Sequence, residues 1–140
     1  MNLYFKKLNN EAKNPVYAYE DDAGFDLFSV EAINIKAGEI VQIHTGLSFE
    51  IPKGCVGLIW DKSGLSQKFG LKTLGGVIDS GYRGEVLIGI INLSKTDFNL
   101  EKGQKVAQMI IQKKEYCEII ERGDLSETER GSGAFGSSGK

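Results

Sequence analysis

The sequence is short of the residues that covalent and metal staples need. Its 140 residues hold two cysteines, Cys55 and Cys117, and one histidine, His44. Two thiols exclude a disulfide scaffold. One histidine, with no CxxC and no HExxH, excludes a zinc site or a Ser-His-Asp triad built within one chain. His44 therefore reads as structural. No apolar run approaches the ~18 residues of a transmembrane helix, so no membrane partner is expected. The opening residues 1–14 lack the apolar stretch of a secretory signal, so an intracellular protein with reduced thiols is expected, in cytoplasm or nucleus. An excess of basic charge is missing too. A net charge of −2 and a pI near 5.5 argue against binding a nucleic acid polymer.

What remains is an ordinary globular composition, 41% hydrophobic and 26% charged, at the length of one domain. Glycine is the exception. Eighteen glycines are about twice the usual share of ~7%, so turns or close backbone approaches are expected.

The dominant period is two. Residues 3–8, 25–30, 33–35, 39–44, 56–60, 85–91, 106–111 and 116–120 read as short strands. Ala37-Gly38, Gly75-Gly76 and Lys102-Gly103 mark turns between them. Ile51-Pro52-Lys53-Gly54 reads as a type I turn with Pro52 second and Gly54 fourth. Such spacing predicts an all-β sandwich, jelly roll or barrel, with at most one short helix over residues 63–69. Residues 86–91 are apolar on both faces, which suits a strand covered on both sides, in the core or at an interface. Residues 1–123 read as the body and 124–140 as a polar Gly/Ser-rich arm.

Four stretches carry candidate chemistry. Asp26 lies inside an apolar run and needs a cation or a metal-bound water. Ser63 and Gly64, beside Lys62, open the short helix, which makes either an anion site or a plain serine cap. Asp79 and Tyr82 share a glycine-rich turn, where the acid can serve as a base or merely cap the turn. Arg130, Phe135, Gly136, Ser137 and Ser138 lie in the arm. Glycine-rich backbone, hydroxyls and a guanidinium suit phosphate, and Phe135 suits a base.

In order, Ala23-Gly24-Phe25-Asp26-Leu27, Lys62-Ser63-Gly64-Leu65, Gly76-Val77-Ile78-Asp79-Ser80-Gly81-Tyr82-Arg83-Gly84, Lys102-Gly103-Gln104-Lys105-Val106-Ala107-Gln108-Met109 and Arg130-Gly131-Ser132-Gly133-Ala134-Phe135-Gly136-Ser137-Ser138-Gly139 resemble the five motifs of the homotrimeric all-β dUTP pyrophosphatases, the dUTPases. The resemblance implies a distorted jelly-roll or β-barrel. It implies hydrolysis of dUTP to dUMP and pyrophosphate, which keeps uracil out of DNA and supplies dUMP for thymidylate synthesis. It implies Mg2+ as cofactor and a homotrimer whose sites are shared, the arm closing a neighbouring subunit's site.

By position, Asp79 would orient the attacking water and touch the sugar 3′-hydroxyl, and Gln108 would help hold that water. Tyr82 would lie under the deoxyribose. Backbone of residues 74–76 and 82–86 would read the uracil edge, with Gly76, Val77, Ile78 and Glu85 among the substrate-binding residues. Lys62, Ser63 and Gly64 would hold the α- and β-phosphates. Arg130, Ser137 and Ser138, with Gly136, would hold the γ-phosphate, and Phe135 would cover the base. Asp26 would reach Mg2+ through water. Two positions depart from the family pattern: Asp61-Lys62 replaces Pro-Arg, and Ala134 replaces glycine before Phe135. Two alternatives on the same fold are a dCTP deaminase-like enzyme and a non-catalytic nucleotide-binding regulatory module.

Overall fold

Short apolar runs that alternate with turn residues can hide their inner faces only by stacking sheets. The computed structural model, which describes residues 1–134, does this with eleven strands and one helix. In chain order these are β1 (Tyr4–Lys7), β2 (Phe25–Phe28), β3 (Ile33–Ile35), β4 (Ile40–His44), β5 (Leu47–Glu50), β6 (Cys55–Asp61), α1 (Ser63–Phe69), β7 (Leu71–Leu74), β8 (Val77–Asp79), β9 (Leu87–Asn92), β10 (Phe98–Leu100) and β11 (Lys105–Lys113). Every pairing is antiparallel. One sheet runs β2-β11-β6-β8 and a second β4-β9-β7, with β1-β5 and β10-β3 as two-stranded ribbons. The arrangement is jelly-roll-like, and its sheets do not close into a barrel.

The core lies between the inner faces. Leu27, Ile35, Ile43, Leu47, Ile88, Ile90, Val106 and Met109 are almost fully buried, each worth about 1.5–3 kcal/mol on removal from water. Strand β9 buries Ile88, Ile90 and Asn92, while Leu87, Gly89 and Ile91 remain partly exposed. Within one chain it is therefore fully covered on one face and partly covered on the other. Asn92 ends it as a satisfied polar plug: its amide donates to the Ile35 and Thr96 carbonyls and its Oδ1 accepts from Ser94.

Two sequence expectations are corrected. Residues 116–120 form no strand, because no sheet edge of this chain receives them. Tyr116 and Ile119 stand 89% and 97% exposed. The turn at Pro52 closes one residue later than expected. Cys55 N–H donates to Pro52 O at 3.0 Å, and Gly54, at φ 82°, takes the left-handed third position that glycine favours. Strands β5, β7, β8 and β10 have three or four residues each, too few to show a period. No helix among the described residues is long and apolar enough to cross a membrane.

Candidate active site

The glycine-rich segment after β7 builds the first half of the site. Gly76, at φ 107°, lets the chain turn into β8, and a Cβ there would sit 2.9 Å from Ile59 Cβ. Its carbonyl accepts Ile59 N–H at 2.8 Å. Tyr82 N–H then donates to Asp79 O at 3.0 Å and closes the next turn. The Tyr82 ring folds back over Gly84, where a Cβ would overlap it, and its hydroxyl donates to Glu85 O at 2.9 Å. The result is a cavity of about 230 Å³ lined by Val77, Ile78, Asp79, Tyr82, Glu85 and Leu87. Asp79 is exposed at its rim.

Ser48, Thr45 and Arg83, to which sequence reading gave no role, hold this segment in place. Ser48 Oγ donates to Arg83 O and Thr45 Oγ1 to Val86 O, both at 2.7 Å. Arg83 donates back to the Ser80 and Tyr82 carbonyls. Glu85 is gripped at both oxygens, Oε1 by Gly46 N–H at 2.8 Å and Oε2 by His44 Nδ1 at 3.0 Å. The hydrogen bond to Glu85 pushes the His44 imidazole up from its ordinary value. His44 is thus structural, as expected.

The second half gathers around the end of β6. Asp26, on β2, is only 2% exposed. Lys62 Nζ donates to its Oδ1 at 2.6 Å. Lys105 Nζ lies 2.6 Å from Oδ2, so each oxygen of this buried carboxylate is paired with an ammonium group. Burial pushes the carboxyl up, but the two ammonium groups outweigh it and hold it below its ordinary range. A register shift in β11 between Lys105 and Ala107 re-aims Lys105 toward this acid. Sequence reading passed over Lys105, because a lysine at a strand start looks like solvated surface.

Lys62, not Ser63, occupies the N-cap of α1, and no side chain caps the helix. Ser63 and Gly64 therefore open the helix with backbone N–H groups free of intrahelical partners. Asp61, the departure from Pro-Arg, is turned away and paired. Its carboxylate accepts from Thr73 N–H, Thr73 Oγ1 and Lys72 Nζ at 2.8, 2.6 and 2.9 Å. Its backbone carbonyl accepts Gln108 Nε2 at 2.9 Å.

The two halves stay apart within one chain. Asp79 pairs opposite Val56 at the start of β6, whereas Gln108 pairs opposite Trp60 and Lys62 follows the end of the strand. At about 3.3 Å per residue, Asp79 and Lys62 stand some 20 Å apart along β6. Arg130 lies in the arm, where its Nε donates to Gly133 O at 3.0 Å. Among the described residues it bonds to nothing in the body. Phe135, Gly136, Ser137 and Ser138 lie outside the described residues. A directly held metal ion does not fit these donors. Among the described residues no three acidic, histidine or cysteine side chains cluster, and both Asp26 oxygens already face ammonium groups.

Known proteins resemble this chain along its whole length. A relative from Nautilia profundicola named deoxyuridine 5'-triphosphate nucleotidohydrolase is 48% identical, with 100% of both chains covered. One of the same name from Clostridium kluyveri is 45% identical over 99% of each chain. Among solved structures, a mutant dUTPase of Staphylococcus bacteriophage 80alpha with dUpNHpp superimposes with a TM-score of 0.93, at 30% identity and 99% coverage of both chains. A mutant dUTPase from phage phi11 of S. aureus, whose structure describes coordination of a structural Mg(II) ion, gives 0.85 at 27% identity, covering 91% of this chain and 100% of that one. The dUTPase family model matches residues 10–139, and with these relatives along its whole length the chain belongs to the dUTPase family.

Proposed function

We propose that this chain hydrolyses dUTP to dUMP and pyrophosphate at sites shared between the subunits of a homotrimer. Family membership supports the reaction. The observation that carries the shared site is the separation of Asp79 from Gln108 and Lys62 along β6. Symmetry can bring the pocket of one chain against the phosphate half of another. The partly exposed face of β9 and the exposed Tyr116, Ile119, Ile120 and Leu125 are surfaces that such an assembly covers.

In this reading a water attacks the α-phosphorus in line and pyrophosphate leaves. Asp79 accepts a proton from that water and touches the 3′-hydroxyl, while Gln108 holds the water. Tyr82 packs beneath the deoxyribose. Its ring lies against Gly84 with its hydroxyl bonded to Glu85 O, so a 2′-hydroxyl meets a side chain that must give up that position to admit it. Backbone at Gly76, Val77, Ile78 and Glu85 reads the uracil edge. Fixed donors and acceptors left unpaired by cytosine reject it strongly. Lys62, Ser63 and Gly64 take the α- and β-phosphates. Arg130, Ser137 and Ser138, with Gly136, take the γ-phosphate, and Phe135 covers the base, all from an arm of residues 124–140. Catalysis of this kind rests on positioning and charge neutralisation.

Magnesium enters as part of the substrate, bound to phosphate oxygens as this ion prefers. Asp26 chiefly holds Lys62 and Lys105, with water between it and any such ion. The test is incubation with each deoxynucleoside triphosphate plus magnesium. Pyrophosphate from dUTP alone is expected. Ammonia from dCTP, or tight dUTP binding without turnover, overturns the reading.

A further inference from the structure

We propose that Asp61 is a positioning residue for turnover: by tying the end of β6 to β7, it fixes the carbonyl that orients the Gln108 amide. The inference rests on the reading of Gln108 as the group that holds the attacking water.

The geometry is a relay of four contacts. Strand β6 belongs to one sheet and β7 to the other. The Asp61 carboxylate crosses between them, taking Thr73 N–H and Oγ1 on Oδ1 and Lys72 Nζ on Oδ2. These three bonds hold the last residue of β6, and its carbonyl receives Gln108 Nε2 at 2.9 Å. A carboxamide has one donor end and one acceptor end. Once Nε2 is committed to Asp61 O, Oε1 is fixed as the free acceptor. It lies on the Gly24 side, where a Cβ would come within 3.2 Å of it. A water bound to Oε1 must then donate a hydrogen to it, which keeps a lone pair of that water available for phosphorus. Rotating the amide would offer the water an N–H instead and turn that lone pair toward the glutamine. Asp61 thus acts two bonds away from the water, and its negative charge, offset by Lys72, stays clear of the phosphates.

A double-mutant cycle on the full-length protein tests this, with dUTP turnover, melting and dUpNHpp affinity measured for each variant. Gln108→Ala is expected to slow kcat strongly. Asp61→Ala is expected to lower kcat about tenfold or more with KM changed less than about threefold, since misplacing a catalytic group is costly in rate. Made in the Gln108→Ala background, Asp61→Ala should cost less than about twofold more, because residues acting through one another are not additive. Asp61→Asn keeps the Oδ1 acceptor and should recover most of the loss. Thr73→Val should lose rate in the same direction, and it carries the cycle if Asp61→Ala does not fold. Losses that multiply, or full kcat in both Asp61→Ala and Thr73→Val, overturn the assignment. Full kcat in Gln108→Ala instead removes the role of Gln108 itself, a failure distinguishable from the first.

Discussion

Asp79 sits across from Val56 and Gln108 across from Trp60, so the two pair four positions apart along β6 within a chain. That is about 13 Å of strand, beyond the reach of one water. Subunit mixing follows as a test. Asp79→Asn should abolish turnover while leaving dUTP binding largely intact, and Gln108→Ala should be slow. Co-expressed, the two should recover activity, because about one site in four then pairs an intact Asp79 with an intact Gln108 from a neighbour under random assembly. Specific activity no higher than that of the parents would mean that each chain uses its own pair.

The fold was largely legible in the sequence, and the site only in part. Apolar runs such as Val106 to Ile111 declare a strand, and the helix over residues 63–69 follows from Ser63 coming after a strand. Asp79 and Tyr82 stood out because glycines surround them. Thr45, Ser48, Thr73 and Lys105 did not. Their partners lie 41, 35, 12 and 79 residues away in the chain, and no local pattern encodes such contacts. The Asp61 carboxylate is claimed by Lys72 and Thr73, 11 and 12 residues away in the chain, which no local pattern encodes either.

Gly84 is predicted to set the sugar pocket. Replacing it with alanine drives a methyl group into the Tyr82 ring. Forced overpacking costs about 1–3 kcal/mol, and here the softer response is for Tyr82 to swing away from Glu85 O. Gly84→Ala should therefore raise KM for dUTP about tenfold or more, with a modest fall in Tm. Tyr82→Phe loses only one exposed hydrogen bond, worth about 1 kcal/mol, and should change KM a few-fold. Equal effects from the two would show that the hydroxyl, not the ring position, matters.

The His44–Glu85 contact should make stability depend on pH. Hydrogen bonding to Glu85 raises the folded imidazole above its ordinary value, and burial opposes this. A raised folded pKa means that the folded state holds the proton more tightly. The stabilisation is complete below the unfolded pKa, about 6.5, and fades as pH rises through the folded value. Half the His44 side chain is exposed, so solvent screens the effect. Tm of the parent should fall faster than that of His44→Gln between about pH 6.5 and 8. Parallel curves would remove His44 from the titration.

Lys62 serves two masters, the buried Asp26 and the expected phosphates. Lys62→Arg should keep both contacts, because a guanidinium spans carboxylate and phosphate, and activity should hold or improve. Lys62→Met leaves Asp26 with Lys105 alone. Removing one partner of a buried charge costs up to about 3–5 kcal/mol, and the remaining lysine should hold the loss to the lower part of that range or below. Tm and turnover should both drop. A stable, active Lys62→Met would show that neither contact matters.

The arm supplies the last prediction, because its physics in one chain is incomplete. Leu125 is well exposed, as are Tyr116, Ile119 and Ile120 in the segment that leads into the arm, and Arg130 bonds only within its own turn among the described residues. Truncation after Glu129 therefore removes no described hydrogen bond to the body. Tm should stay within about two degrees, since surface changes away from packed features usually cost under ~0.5 kcal/mol. Turnover should instead collapse by about a hundredfold or more, because a closing segment both contributes its cation and excludes water. The split between the two readouts is the point. Unchanged Tm with lost kcat assigns the segment to chemistry, whereas a large fall in Tm would make it part of the fold.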